Sequence, residues 1–102
     1  MTPERKVKDK VRKVLTEIKA YYAMPIGTGY GNAGVPDFLV CYKGLFIGIE
    51  CKAKGNKPTA LQMKNFKDIE EAGGQVLLID ESNVDQLLQL ILTGVSSYEK
   101  AE

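Results

Sequence analysis

The 102-residue sequence contains no histidine. That absence removes the commonest nitrogen ligand of a zinc site and every Ser-His or Cys-His nucleophile pair. Cysteine is nearly absent too: Cys41 and Cys51 stand without a C-x-x-C spacing, each inside an apolar run. Both read as buried, reduced core residues. No apolar run is long enough to cross a bilayer, and Met1 to Lys13 is charged rather than signal-like. The expectation is a cytoplasmic protein with no membrane partner. Catalysis, if present, must rest on carboxylates, lysines or a bound metal.

Hydrophobic residues make up 44% of the chain and charged ones 26%, the balance of an ordinary globular protein, and the length suits a single domain over residues 1–102. The net charge of +1 conceals an uneven distribution. Residues 1–67 hold 13 Lys/Arg against 5 Asp/Glu, while residues 68–102 hold 1 against 8. A basic portion of this kind suits a polyanion such as nucleic acid, although the same charges can simply solvate helix faces.

Val7, Val11, Val14, Leu15 and Ile18 recur at helical spacing behind Thr2-Pro3-Glu4, which offers a capping hydroxyl and a proline at the first helical position. Residues 21–26 read as a short strand, and the glycines at 27, 29, 31 and 34 as a loop. No Gly-Lys-Ser/Thr follows that run, so a nucleotide-binding loop is rejected. The loop suits backbone approach to DNA beside Asp37 or serves as a plain connection. Strands over 37–42 and 45–54 flank Lys43-Gly44, the signature of a tight hairpin. Thr59 caps a second helix that Gly73-Gly74 stops, residues 75–80 form a buried strand, and residues 82–92 a last helix. The order α-β-β-β-α-β-α predicts an α/β fold with a mixed sheet and helices on both faces.

A two-residue turn at Lys43-Gly44 pairs Tyr42 with Leu45, Val40 with Ile47 and Phe38 with Ile49, and by extension sets Asp37 opposite Glu50. Residues so opposed have Cβ atoms roughly 5 Å apart, and two like charges there destabilise a sheet unless something compensates them. Mg²⁺ is a natural compensator, because it takes carboxylate oxygens while keeping waters and binding phosphate. Lys52 projects from the same face, where its ammonium can orient a water or stabilise charge on a phosphate. The alternative is an exposed Glu50–Lys52 pair with no metal.

At these residues the sequence resembles the PD-(D/E)XK nucleases. Pro36-Asp37 supplies the first half of the motif and Glu50-Cys51-Lys52 the second. The wider pattern, Gly34-Val35-Pro36-Asp37-Phe38, then Ile49-Glu50-Cys51-Lys52 and Gln62, is similar to the VRR-NUC branch over residues 4 to 80. The resemblance implies a restriction-endonuclease-like core in which Asp37, Glu50 and the backbone carbonyl of Cys51 bind Mg²⁺ or Mn²⁺, with Lys52 as the catalytic lysine. Relatives add a glutamate from the first helix, here Glu4 or Glu17, although Glu4 also suits a helix N-terminus for its charge alone. Gln62 matches a glutamine placed beside the metal in some relatives, where a tyrosine often stands in place of Phe66; the alternative is a solvated helix residue.

The resulting expectation is a metal-dependent endodeoxyribonuclease acting on structured or branched DNA, recognised by shape and backbone charge. Single-domain VRR-NUC proteins resemble Holliday junction resolvases, so the resemblance implies a homodimer on four-way junctions. The apolar face of the last helix and the tail Val95 to Tyr98 are the candidate dimer surface, or else complete the core. A flap nuclease and a catalytically inactive nucleic-acid-binding module are the alternatives.

Overall fold

A computed structural model of the chain describes residues 1–26 and 33–98. The glycines at 27, 29 and 31 lie outside the described residues.

Helix α1 spans Pro3–Glu17, with Thr2 accepting the Arg5 N–H at 3.2 Å and proline at its first position. Its expected apolar stripe turns inward: Val7, Val11 and Leu15, each one turn apart, are buried, and Val14 and Ile18 pack beside them. Three strands follow, β1 (Tyr21–Ala23), β2 (Phe38–Tyr42) and β3 (Leu45–Cys51). Helix α2 (Ala60–Glu71) crosses to β4 (Gln75–Ile79), which pairs parallel with β3. A 3₁₀ turn (Val84–Gln86) then leads into α3 (Leu87–Thr93).

The four strands lie in the order β1-β2-β3-β4, with the first two pairings antiparallel. This is the expected mixed sheet. Ile47, Ile49 and Cys51 face α1 and α3 in one apolar cluster with Phe38, Val40, Leu77, Ile79, Leu87 and Ile91. Alternation sends Phe46, Gly48 and Glu50 to the α2 side. Gly48 lets that helix come close: a Cβ there would lie 2.9 Å from Ile69 Cδ1 and 3.1 Å from Pro36 Cγ.

Several sequence expectations need correction. The first strand ends at Ala23 and β3 at Cys51, both earlier than expected. The last helix is broken, because Asn83 bonds back to the Asp80 N–H at 2.9 Å and to the Leu78 carbonyl at 3.0 Å, holding a turn ahead of α3. Cys41 is exposed rather than buried. It faces the α2 side near the hairpin turn, in a cross-strand row with Tyr21 and Phe46, both also exposed.

The tail is used within the chain. Ser97 pairs parallel with Leu77, donating to the Val76 carbonyl at 2.8 Å and accepting from Leu78 at 3.0 Å, so it covers that stretch of the β4 edge. Tyr98 sets its ring edge-on to Phe66 at 5.1 Å and hydrogen-bonds Glu70. Leu87 and Ile91 are buried, whereas Leu92 and Val95 remain exposed. Most of the surface proposed for dimerisation therefore completes the core.

Candidate active site

The hairpin turn carries the geometry that the register required: Lys43 and Gly44 both have positive φ, 50° and 82°, the twist that suits a two-residue connection. Phe38 pairs with Ile49, Val40 with Ile47 and Tyr42 with Leu45. The ladder ends at Phe38–Ile49, one position short of Asp37 and Glu50. Instead of lying in the ladder, the Asp37 side chain turns to accept the Cys51 N–H through Oδ2 at 2.8 Å. Asp37 thus caps the end of β3.

That contact also orients Cys51. Its neighbour Lys52 donates its N–H to Ile79 on the β4 side at 2.9 Å, so the backbone groups of Cys51 point the other way. A strand residue's N–H and C=O share one side, which places the Cys51 carbonyl on the side of Asp37. The thiol belongs to the opposite, α1-facing core, and burial, with Asp37 and Glu50 adding to it, pushes its pKa well above the ordinary thiol range. It stays protonated, leaving the carbonyl as the donor this residue can offer a cation.

Glu50 is only 3% exposed. Its Oε2 faces Lys52 Nζ at 3.5 Å and accepts from Gln62 Nε2 at 3.1 Å. Burial and the neighbouring Asp37 charge raise its pKa to about 7, while Lys52 pulls the other way. Its second oxygen, Oε1, is buried with no hydrogen-bond partner among the described residues. An acceptor in that condition costs free energy unless a cation or donor meets it.

Gln62 is oriented by the start of α2. Thr59 accepts the Gln62 N–H at 3.2 Å, and Gln62 Oε1 accepts the Thr59 N–H at 2.9 Å, a reciprocal capping box. With its carbonyl committed to the cap, the amide must present NH₂ to Glu50. The signal was legible as Thr-x-x-Gln at a helix start, a pattern the sequence reading did not connect to the site.

Helix α2 is fixed against the Pro36-Asp37 segment. Gly34 has φ +81°, and a Cβ there would sit 2.6 Å from the Leu61 carbonyl carbon and oxygen and 2.8 Å from Gln62 N. Asn65 donates to the carbonyls of Ala33 and Leu61, each at 2.9 Å. One clamp therefore sets Asp37 and Gln62 relative to each other.

Glu4 and Glu17 part company. Glu17 ends α1, roughly 20 Å along the axis from Glu4, and lines a different surface with Arg12, Thr16 and Tyr22. Glu4 is linked to the site through Lys8, whose Nζ lies 3.7 Å from Glu4 Oε2 and 3.4 Å from Asp37 Oδ1. Burial pulls the Lys8 pKa down, but Asp37 and Glu4 outweigh it and leave it raised. In the sequence Lys8 is one of the 13 Lys/Arg of the basic portion, with nothing to single it out. Its spacing from Glu4 marks an i,i+4 pair, but only the packing of α1 brings it to Asp37.

Among the described residues, no three His, Cys, Asp or Glu side chains lie close enough together to hold a metal. The donor set on this face is Asp37, Glu50 and the Cys51 carbonyl. Such a set fits a hard ion that binds one or two carboxylates and completes its shell with waters and phosphate, and the unpartnered Glu50 Oε1 is an open position for it. It does not fit zinc.

No protein-family model matches the chain. A curated protein described as "Putative nuclease p44", from Acyrthosiphon pisum secondary endosymbiont phage 1, is 37% identical over 62 residues, covering 60% of this chain and 67% of that protein. A solved structure described as a VRR-NUC domain superposes with a TM-score of 0.71 at 20% identity, over 87% of this chain and 97% of that one. With 37% identity to the phage protein described as a putative nuclease, over two thirds of that protein's length, the chain belongs to the same family, and it carries the fold of a VRR-NUC domain.

Proposed function

We propose that this protein is a divalent-metal-dependent endonuclease that hydrolyses phosphodiester bonds in branched DNA. The observation that carries the reading is a buried Glu50 with one oxygen unpartnered and the other held by Lys52 and Gln62, beside an Asp37 anchored on the Cys51 N–H. Asp37, Glu50 and the Cys51 carbonyl would hold Mg²⁺ or Mn²⁺. When bound there, such an ion would supply Lewis-acid polarisation of a phosphoryl oxygen and would make water a stronger nucleophile.

The chain's own residues do the rest. Asp37 and Glu50 fix the position of positive charge, and the Gln62 amide keeps Glu50 in one rotamer. Lys52, mostly shielded from solvent, offers an ammonium to the charge that develops on phosphate in the transition state. Arg5, Lys6, Lys10, Lys54 and Lys57 are exposed and positive, suited to backbone phosphates without base readout.

Four-way-junction cleavage by a homodimer is the finer part of the proposal. A two-fold dimer brings two related sites to a substrate of matching symmetry. The exposed row Tyr21, Cys41 and Phe46 offers an apolar face for that contact in place of the tail. The test is a panel of four-way, flapped and linear DNAs incubated with Mn²⁺, with and without a chelator, alongside light scattering. Metal-dependent cleavage of junctions by a dimer supports the whole reading. Equal cleavage of linear duplex by a monomer removes the resolvase part, and no cleavage of any DNA favours a binding module.

A further inference from the structure

We infer that Lys8 is a built-in competitor for the metal position on Asp37, a tethered ammonium that must leave when a divalent cation arrives. The inference rests on the metal-binding reading of Asp37 above. Asp37 Oδ2 is committed to the Cys51 N–H at 2.8 Å, so Oδ1 is the oxygen left for a cation, and Lys8 Nζ stands 3.4 Å from it. The same ammonium lies 3.7 Å from Glu4 Oε2. One lysine therefore offsets two carboxylates on the α1 side, while Lys52 offsets Glu50 on the other. Each carboxylate of the proposed metal pair thus has an ammonium beside it.

The two lysines differ in what holds them. The Lys52 side chain is 14% exposed and that of Lys8 29%, and the latter reaches across from a separate element on a flexible four-carbon stem. A divalent ion on Oδ1 would meet a like charge at close range, so Lys8 must swing away for Asp37 to bind it. Glu4 remains one turn back along the helix to receive the displaced ammonium. On this account Glu4 acts by holding Lys8 rather than by binding metal, and Lys8 sets how much free cation the site needs.

The experiment is calorimetric titration of Mn²⁺ into the whole protein without DNA, for the wild type, Lys8→Ala and Lys8→Arg, with melting temperatures measured at each Mn²⁺ concentration. Loss of a partly exposed opposing charge should tighten Mn²⁺ binding by about three- to tenfold in Lys8→Ala. Lys8→Arg keeps the charge and should stay within about twofold of the wild type. The Mn²⁺-induced rise in melting temperature should be larger for Lys8→Ala. Wild-type binding with an unchanged or weaker constant in Lys8→Ala overturns the inference alone. Absence of Mn²⁺ binding in both proteins overturns the metal reading and the inference with it, whereas binding seen only in Lys8→Ala supports both.

Discussion

Gln62 donates to Glu50 across 3.1 Å with an amide whose other end is locked into the cap of its own helix. The start of α2 and the site on β3 are thereby one structural unit. A capping residue is worth about 1 kcal/mol, so Thr59→Ala should lower stability by about that amount and slow cleavage severalfold, because the amide is freed to rotate. Gln62→Glu keeps a carboxylate oxygen for the cap but sets a second negative charge beside Glu50. Melting curves should show a modest loss for both variants, and cleavage rates a deeper loss for Gln62→Glu; equal rates in wild type and Gln62→Glu would sever the link between cap and site.

Glu50 gives a pH dependence with a definite sign. Its folded pKa of about 7 lies above the ordinary value of 4.5, so its stabilising contribution is complete below about pH 4.5 and is lost as pH rises through 7. Without metal, Glu50→Gln should match the wild type near pH 4.5 and be the more stable at pH 8, by on the order of 1–3 kcal/mol. Added Mn²⁺ should reverse the order at pH 8, since only the wild type keeps both carboxylates of the proposed metal pair. Denaturant titrations at the two pH values measure both effects.

The hairpin was the legible part of this protein. Lys43-Gly44 set the turn, and alternation then gave every pair from Tyr42–Leu45 to Phe38–Ile49. Extending the same register one step to Asp37–Glu50 failed, because Asp37 leaves the ladder to take the Cys51 N–H. Periodicity cannot report where a side chain replaces a strand neighbour as hydrogen-bond partner. Nor could it distinguish the two cysteines, which share an apolar context but face opposite sides of the sheet. Lys8 was invisible for a different reason: its meeting with Asp37 depends on how α1 lies across the hairpin, a tertiary fact. The glutamate choice had the same cause.

The Gly34 contact yields a sharp stability test. Alanine there must adopt φ near +81° and push against the backbone of Leu61 and Gln62, a combination of strain and overpacking that costs about 2–4 kcal/mol. Gly34→Ala should therefore melt well below the wild type and cleave poorly even at temperatures where it is folded. Unchanged melting would contradict the close approach of this segment to α2.

Asp37 carries a structural duty as well as its proposed metal contact. Removing its carboxyl leaves the Cys51 N–H without its acceptor, a loss of about 1–3 kcal/mol for a buried donor. Asp37→Ala should show that loss, and Asp37→Asn, which keeps an acceptor oxygen, should show less of it while losing Mn²⁺ binding to a similar degree. Comparing unfolding free energies of the two variants separates the roles.

Lys52 touches Glu50 and no other carboxylate among the described residues, so the effect of its replacement on folding and on metal binding runs through Glu50 and can be followed beside the chemistry. The most direct measurement is the single-turnover rate of junction cleavage at saturating Mn²⁺ for the wild type and Lys52→Met, with circular dichroism and Mn²⁺ affinity followed in parallel. The account predicts a folded variant that still binds Mn²⁺ and DNA but cleaves at least about a hundredfold more slowly, the scale of losing one transition-state charge donor. A Lys52→Met protein that cleaves at the wild-type rate would contradict it.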